Sequence, residues 1–187
     1  LAGQRSWAEV AFGSFDGNSD HEVVASRGAN DGPWGTEARV NLEELDLAIR
    51  GRIDRLDLDA KGHVARVTDY KTGQYKSAAK GWALDGGKEL QRSLYALAVR
   101  SLLPRVREVE TRLHYVRSDK GLIALSDAEK TTSKLLTYIN HVMRSLREGK
   151  MLPGPDTLGG DVALALPAYA GEIYGRQKRE ACLSAFA

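Results

Sequence analysis

Two aspartates and a lysine carry the chemistry this sequence could do. Asp54 lies in Gly51-Arg52-Ile53-Asp54-Arg55, and Asp69 and Lys71 lie in Val67-Thr68-Asp69-Tyr70-Lys71-Thr72-Gly73. A phosphodiester is anionic and resists attack by water. A hard divalent cation such as Mg²⁺ takes oxygen ligands and keeps several of its waters, so two carboxylates and a backbone carbonyl can hold it with positions open. The cation then lowers the pKa of a bound water and screens the phosphate charge. A lysine beside it can orient that water and stabilise charge that develops in the transition state. A single Asp-x-Lys triplet is common and carries little weight. Two aspartates on paired strands with a lysine on the same face are a more specific signal.

The elements that must position these groups can be read from the apolar spacing. Residues 45–58 carry Leu45, Leu47, Ile49, Ile53, Leu56 and Leu58, interrupted at Gly51, and residues 64–70 form a second β-rich run. Between them Asp59-Ala60-Lys61-Gly62 makes a hairpin turn, with glycine where φ is positive. Asp69 and Lys71, two apart on a strand, share a face. If Lys61-Gly62 is a two-residue loop, Ala60 pairs with His63 and Asp54 falls opposite Asp69, with Cβ atoms about 5 Å apart. A type I turn with a bulge at Gly62 would shift the register by one, and a further bulge would be needed to restore the face.

Other segments fill in an α/β domain. Residues 7–15, 21–26, 109–116 and 121–125 read as strands. Residues 30–35, 74–87 and 151–160 read as loops. Residues 89–103 read as a helix with Leu90, Leu94, Leu97 and Ala98 on one face and Pro104 at its end. Residues 126–148 form the clearest helix, with Ser126 and Glu129 as a capping box and Gly149 as its stop. Residues 161–186 suggest a last helix broken near Pro167.

The chain has 187 residues, which fits one domain over 1–187. It starts at Leu1 rather than Met, which suggests a piece of a longer protein. Its formal net charge is +2, which a solvated mixed-charge surface explains without nucleic acid. Cys182 is the one cysteine, so neither an internal disulfide nor a Cys-rich zinc site can form, and a reducing cytoplasm is the expected location. No signal peptide is evident, and no run approaches the roughly 18 apolar residues of a membrane span.

The order of the motifs closely resembles the RecB-like and AddB-like nucleases of the PD-(D/E)XK superfamily. That family's GxxD, (D/E)xK and QxxxY signatures match at Gly51 and Asp54, at Asp69-Tyr70-Lys71, and at Gln91 and Tyr95. The resemblance implies a restriction-endonuclease-like core, a mixed central β-sheet flanked by α-helices. It implies that Asp54, Asp69 and the carbonyl of Tyr70 are metal ligands and that Lys71 is the catalytic lysine. Gln91 and Tyr95 would lie beside the site and near DNA, and Arg55 or Arg52 would contact phosphate. The implied cofactor is Mg²⁺, with Mn²⁺ as an alternative. The implied activity is a deoxyribonuclease, exonuclease rather than endonuclease, with a helicase domain or subunit as partner. Two departures stand out. The upstream His or Glu ligand of many relatives is not evident, and Glu9, His21 and Glu37 are the candidates for it. The four-cysteine iron–sulfur cluster of some relatives cannot form within this chain. A non-cleaving module that binds DNA ends or a partner subunit is the competing reading, and a metal-free small-molecule binder is a third.

Overall fold

The central hairpin is organised by Asp59. Its Oδ1 accepts the backbone N–H groups of His63 and Val64 at 2.7 and 3.0 Å. Its main chain donates to Val64 O at 3.0 Å and accepts from Gly62 N at 3.1 Å. Gly62 has φ +71°, a conformation that glycine adopts without steric cost. The loop is therefore four residues long, Ala60 to His63, and neither of the two shorter turns considered from sequence occurs. The register is nevertheless that of the two-residue turn, because two added residues move both arms equally. Strand β4 (Gly51–Leu58) pairs with β5 (Val64–Lys71) as Arg55↔Thr68, Leu56↔Val67, Asp57↔Arg66 and Leu58↔Ala65.

A computed structural model describes residues 4–13, 32–35, 38–42, 45–75, 89–119 and 121–149. The expected strand at 21–26, the loop at 151–160, the helix at 161–186, Cys182 and most of the loop at 74–87 lie outside these residues. Strand β1 (Arg5–Phe12) borders β4, and β6 (Glu108–Tyr115) and β7 (Leu122–Ala124) complete a five-stranded sheet in the order β1-β4-β5-β6-β7. Among the described strands only β5 and β6 are parallel neighbours. Parallel neighbours need a crossover, and helix α1 (Gln91–Leu102) lies between them in the chain. The fold is thus the expected α/β one, with a mixed sheet.

The segment 45–58 is not one element. A short β3 (Leu47–Ile49) pairs with β2 (Val40–Leu42) in a separate two-stranded sheet, and β4 begins only after Arg50. The glycine break was visible in sequence, but the partner β2 is too short to leave a periodicity. Helix α2 (Ala128–Arg147) is capped by Asp127, which accepts from Lys130 N at 3.0 Å, and not by Ser126. Asp127 takes a left-handed φ of +51°, which moves the cap one residue along. Glu129 instead pairs with Arg100 of α1 at 3.6 Å. Among the described residues no helix is long and apolar enough to cross a membrane.

One sheet face carries the core. Ile53, Leu56 and Leu58 of β4 and Ala65 and Val67 of β5 pack beneath Tyr95, Ala96, Ala98 and Val99 of α1. The small Ala96 and Ala98 let the helix sit close to the strands. Alternation fails at one level. Ile53 and Leu56, three apart, are both fully buried. On β1 the pairing to β4 runs from Arg5↔Leu58 to Ala8↔Arg55, skips Glu9 and Asp54, and resumes at Val10↔Ile53. Glu9 has φ +53°, which costs a non-glycine residue about 1–3 kcal/mol. The two strands thus change face together, at Asp54.

The hydrogen bond from Val64, more than any other contact, holds the Asp59 carboxyl below its ordinary pKa. Its stabilisation is therefore present above the usual carboxylate range and is lost as pH falls through the depressed value. Asp59→Ala is expected to lower the Tm by a few degrees at pH 7. The difference from the parent should shrink on acidification in a series of thermal melts.

Candidate active site

Asp54 sits where the β4–β5 ladder stops. Beyond Arg55↔Thr68 the next backbone donor of β5, Tyr70 N, is taken by Asp54 Oδ2 at 2.8 Å. A side-chain carboxylate has replaced a strand-to-strand bond, which fixes Asp54 against the Asp-Tyr-Lys segment. Gly51 has its own reason to be glycine. A Cβ there would fall 2.8 Å from Phe12 Cζ and 3.6 Å from Tyr95 Cε1, so two core rings occupy the space.

Asp69 is 3% exposed, and Lys71 Nζ stands 2.7 Å from its Oδ2. That ammonium is the one partner this buried oxygen has among the described residues. Burial raises the pKa of Asp69. The Lys71 cation opposes that rise, and the carboxylates of Asp54 and Glu89 add to it. Lys71 Nζ donates to Gln91 Oε1 at 2.7 Å, and Gln91 Nε2 reaches Tyr95 Oη at 3.5 Å. Gln91 and Tyr95, four apart on α1, face the same site. The Tyr95 ring meets Phe12 edge to face at 6.5 Å. Burial raises the Tyr95 pKa, and Asp69, Asp54 and Glu9 raise it further, so its hydroxyl lies in the field of three carboxylates.

The structure thus brings Asp54, Asp69, Tyr70, Lys71, Gln91 and Tyr95 to one end of the sheet. Arg55 is not with them. It lies on the opposite face, where its Nε donates to Asp57 Oδ1 at 2.9 Å. Those hydrogen bonds to Asp57 and then Tyr70 raise its pKa. Of the three upstream candidates, Glu9 lies across from Asp54 and pairs with Arg52 at 3.6 Å, whereas His21 and Glu37 lie outside the described residues. Sequence reasoning passed over Glu89 and Arg92. Arg92 is 1% exposed and Glu89 7%, and they pair at 3.4 Å just before and within the first turn of α1. Their i, i+3 spacing was visible, but nothing in it announced burial.

The donor set suits a hard cation. Asp54, Asp69 and the Tyr70 carbonyl offer oxygen only, and the buried Asp69 Oδ2 has the Lys71 ammonium as its one partner among the described residues. Among the described residues no three His, Cys, Asp or Glu side chains form a ready metal cluster. A cation that keeps several of its waters would need no more protein ligands than the two carboxylates and a carbonyl.

The family model described as the PD-(D/E)XK nuclease superfamily matches residues 4–158. The chain belongs to the PD-(D/E)XK nuclease superfamily. The match spans every strand of the main sheet and both helices. No curated protein matches the chain.

Replacing Asp69 by Asn tests its electrostatics separately from any reaction. A carboxyl whose pKa is raised by folding destabilises the native state above that pKa, and the penalty fades as pH falls. Asp69→Asn is expected to raise the metal-free Tm at pH 7, with the gain vanishing in acid. An unchanged or lower Tm at pH 7 would show that Lys71 fully compensates the charge.

Proposed function

We propose that this protein is a Mg²⁺-dependent deoxyribonuclease of the RecB-like kind, an exonuclease that acts as the nuclease module of a DNA-repair helicase–nuclease or on its own. The observation that supports this most is the buried, undercompensated Asp69 carboxylate set beside Asp54 and Lys71. Superfamily membership supplies the nuclease class. The two carboxylates and the Tyr70 carbonyl would hold Mg²⁺, or Mn²⁺ in its place, and the bound ion would supply an activated water and screen the phosphate.

The protein's own groups do the rest. Lys71 Nζ, held between Asp69 and the Gln91 amide, is an ammonium donor placed for the charge that builds on a phosphate oxygen. Gln91 limits where that ammonium can swing. Tyr95 keeps its phenolic proton, because burial and the carboxylates disfavour the phenolate, and it presents a neutral O–H to the substrate. Asp54, fixed by Tyr70 N, keeps the two carboxylates from drifting apart. Lone Cys182 fits work in a reducing cytoplasm.

Cleavage of linear and circular DNA, single- and double-stranded, in EDTA, Mg²⁺ and Mn²⁺ is the experiment. Metal-dependent loss of linear DNA with circles spared is expected. Asp69→Ala and Lys71→Ala should each lower the rate about 100-fold or more with DNA binding retained. Lys71→Ala cleaving at the parental rate would remove the lysine from the mechanism. Metal-dependent cutting of circles would make the enzyme an endonuclease. A parent that binds DNA but never cleaves it would be a non-cleaving module.

A further inference from the structure

The sheet face opposite α1 carries an ordered pattern that the carboxylate site does not use. Residues paired across strands share a face. The pairs Tyr70↔His114 and His114↔Leu122 therefore set three side chains in one row across β5, β6 and β7. The pairs Arg55↔Thr68, Thr68↔Arg112 and Arg112↔Ala124 set the row below it. The upper row is apolar and open. Tyr70 is 37% and Leu122 53% exposed, and the Tyr70 and His114 rings are tilted against each other at 5.4 Å. The lower row is cationic.

Arg112 is the unusual member. Its Nε donates to the neutral hydroxyl of Thr68 at 2.9 Å. Arg66 and Arg55 are both engaged with carboxylates, Glu110 at 2.6 Å and Asp57 at 2.9 Å, whereas Arg112 forms no ion pair among the described residues. Burial lowers its pKa and the neighbouring Arg66 cation lowers it further, while the Asp57 carboxylate acts the other way without offsetting them. A guanidinium that is partly desolvated, crowded by another cation and hydrogen-bonded to a neutral hydroxyl gains from an anion in direct contact. Arg112 and Leu122 also line a cleft of about 500 Å³ at the sheet edge, where Arg66, Arg100 and Arg107 share the wall with Glu108, Glu110, Asp127 and Glu129, so Arg112 faces an open concavity of mixed charge and not a packed core.

We propose that this outer face binds a single strand of the nucleic-acid substrate, with Arg112 holding a backbone phosphate and the Tyr70–His114–Leu122 row carrying bases. The inference rests on the nuclease reading above and extends it to the path of the strand. Single-strand binders combine cations that follow the backbone with aromatic and apolar side chains on which bases rest, and the two rows stand one above the other in that sense. The rows are two residues apart along each strand, roughly 7 Å, which is about the separation of a base from its own phosphate. Tyr70 joins the two sites directly: its backbone N–H is held by Asp54 on the catalytic side, and its ring lies on the outer face. A strand leaving the carboxylates around the end of β5 meets that ring first.

The test is binding of a fluorescent thymidine oligonucleotide, about 15 nucleotides long, in EDTA across a salt series. Four proteins are compared: the parent, Arg112→Gln, Arg112→Lys and Leu122→Asp. Leu122 is exposed, so its substitution spares the core, and Mn²⁺ affinity measured alongside shows whether the carboxylate site is intact. Arg112→Gln should weaken binding about tenfold and flatten the salt dependence by about 0.7 in slope, one phosphate for a single strand. Leu122→Asp should weaken it comparably, and Arg112→Lys should recover most of the loss. If the parent binds the oligonucleotide and both Arg112→Gln and Leu122→Asp bind it equally well with the same slope, the outer face is not the path, and the nuclease reading stands. If the parent neither binds nor cleaves DNA, the nuclease reading falls and this proposal falls with it.

Discussion

A carboxylate removed from water must be stabilised by nearby positive charge or hydrogen bonds, and Asp69 is nearly fully removed. Taking such an ion out of water costs several kcal/mol after relaxation. One ammonium at 2.7 Å offsets part of that, but Asp54 and Glu89 push the other way. The net effect is a carboxyl that binds a proton more tightly than in water. Further positive charge near Asp69 would offset what remains. The rest of the site is arranged around that imbalance: Asp54 anchored on the backbone of Tyr70, a lysine against Asp69, and a glutamine that restrains the lysine.

Holding the pair in place is costly to the sheet, and the cost falls at one level. The β1–β4 ladder omits Glu9 and Asp54, the β4–β5 ladder ends one residue short of Asp54, and Glu9 is left-handed. A regular β4 would direct Ile53 and Leu56 to opposite faces. The shift at Asp54 lets both enter the core while the carboxylate turns to the backbone of Tyr70. The core beneath α1, packed around Tyr95 and Phe12, over-determines this irregular level. That is the setting in which strained backbone persists at functional sites.

Much of this was legible in the residues. Asp69 and Lys71 share a face because strand side chains alternate, and the β4–β5 register as far as Arg55↔Thr68 followed from a hairpin centred between Lys61 and Gly62, whereas the expected direct Asp54–Asp69 pair is not part of the ladder, because Asp54 accepts from Tyr70 N there instead. The register survived although the turn itself is longer, since residues added in pairs leave the parity unchanged. Helix α1 was plain from its apolar spacing, and its Gln91–Tyr95 pair from the resemblance to the family's motif. What was hidden is tertiary. Arg55 adjoins Asp54 in sequence yet lies on the other face, held by a buried Asp57 whose burial no periodicity reveals. The cap of α2 moved to Asp127 because a left-handed residue is a matter of local backbone and not of composition. Arg92 and Glu89 look like surface charges in the sequence, and burial makes them a core pair.

Calorimetric titration of the metal-free protein with Mn²⁺, in the parent and in Asp54→Asn and Asp69→Asn, tests most directly whether these carboxylates share a cation. The parent should bind one ion through this site, and each variant should lose that binding while keeping its fold. Equal Mn²⁺ binding by the parent and both variants would contradict the account, because the undercompensated charge of Asp69 would then have no part in holding a metal.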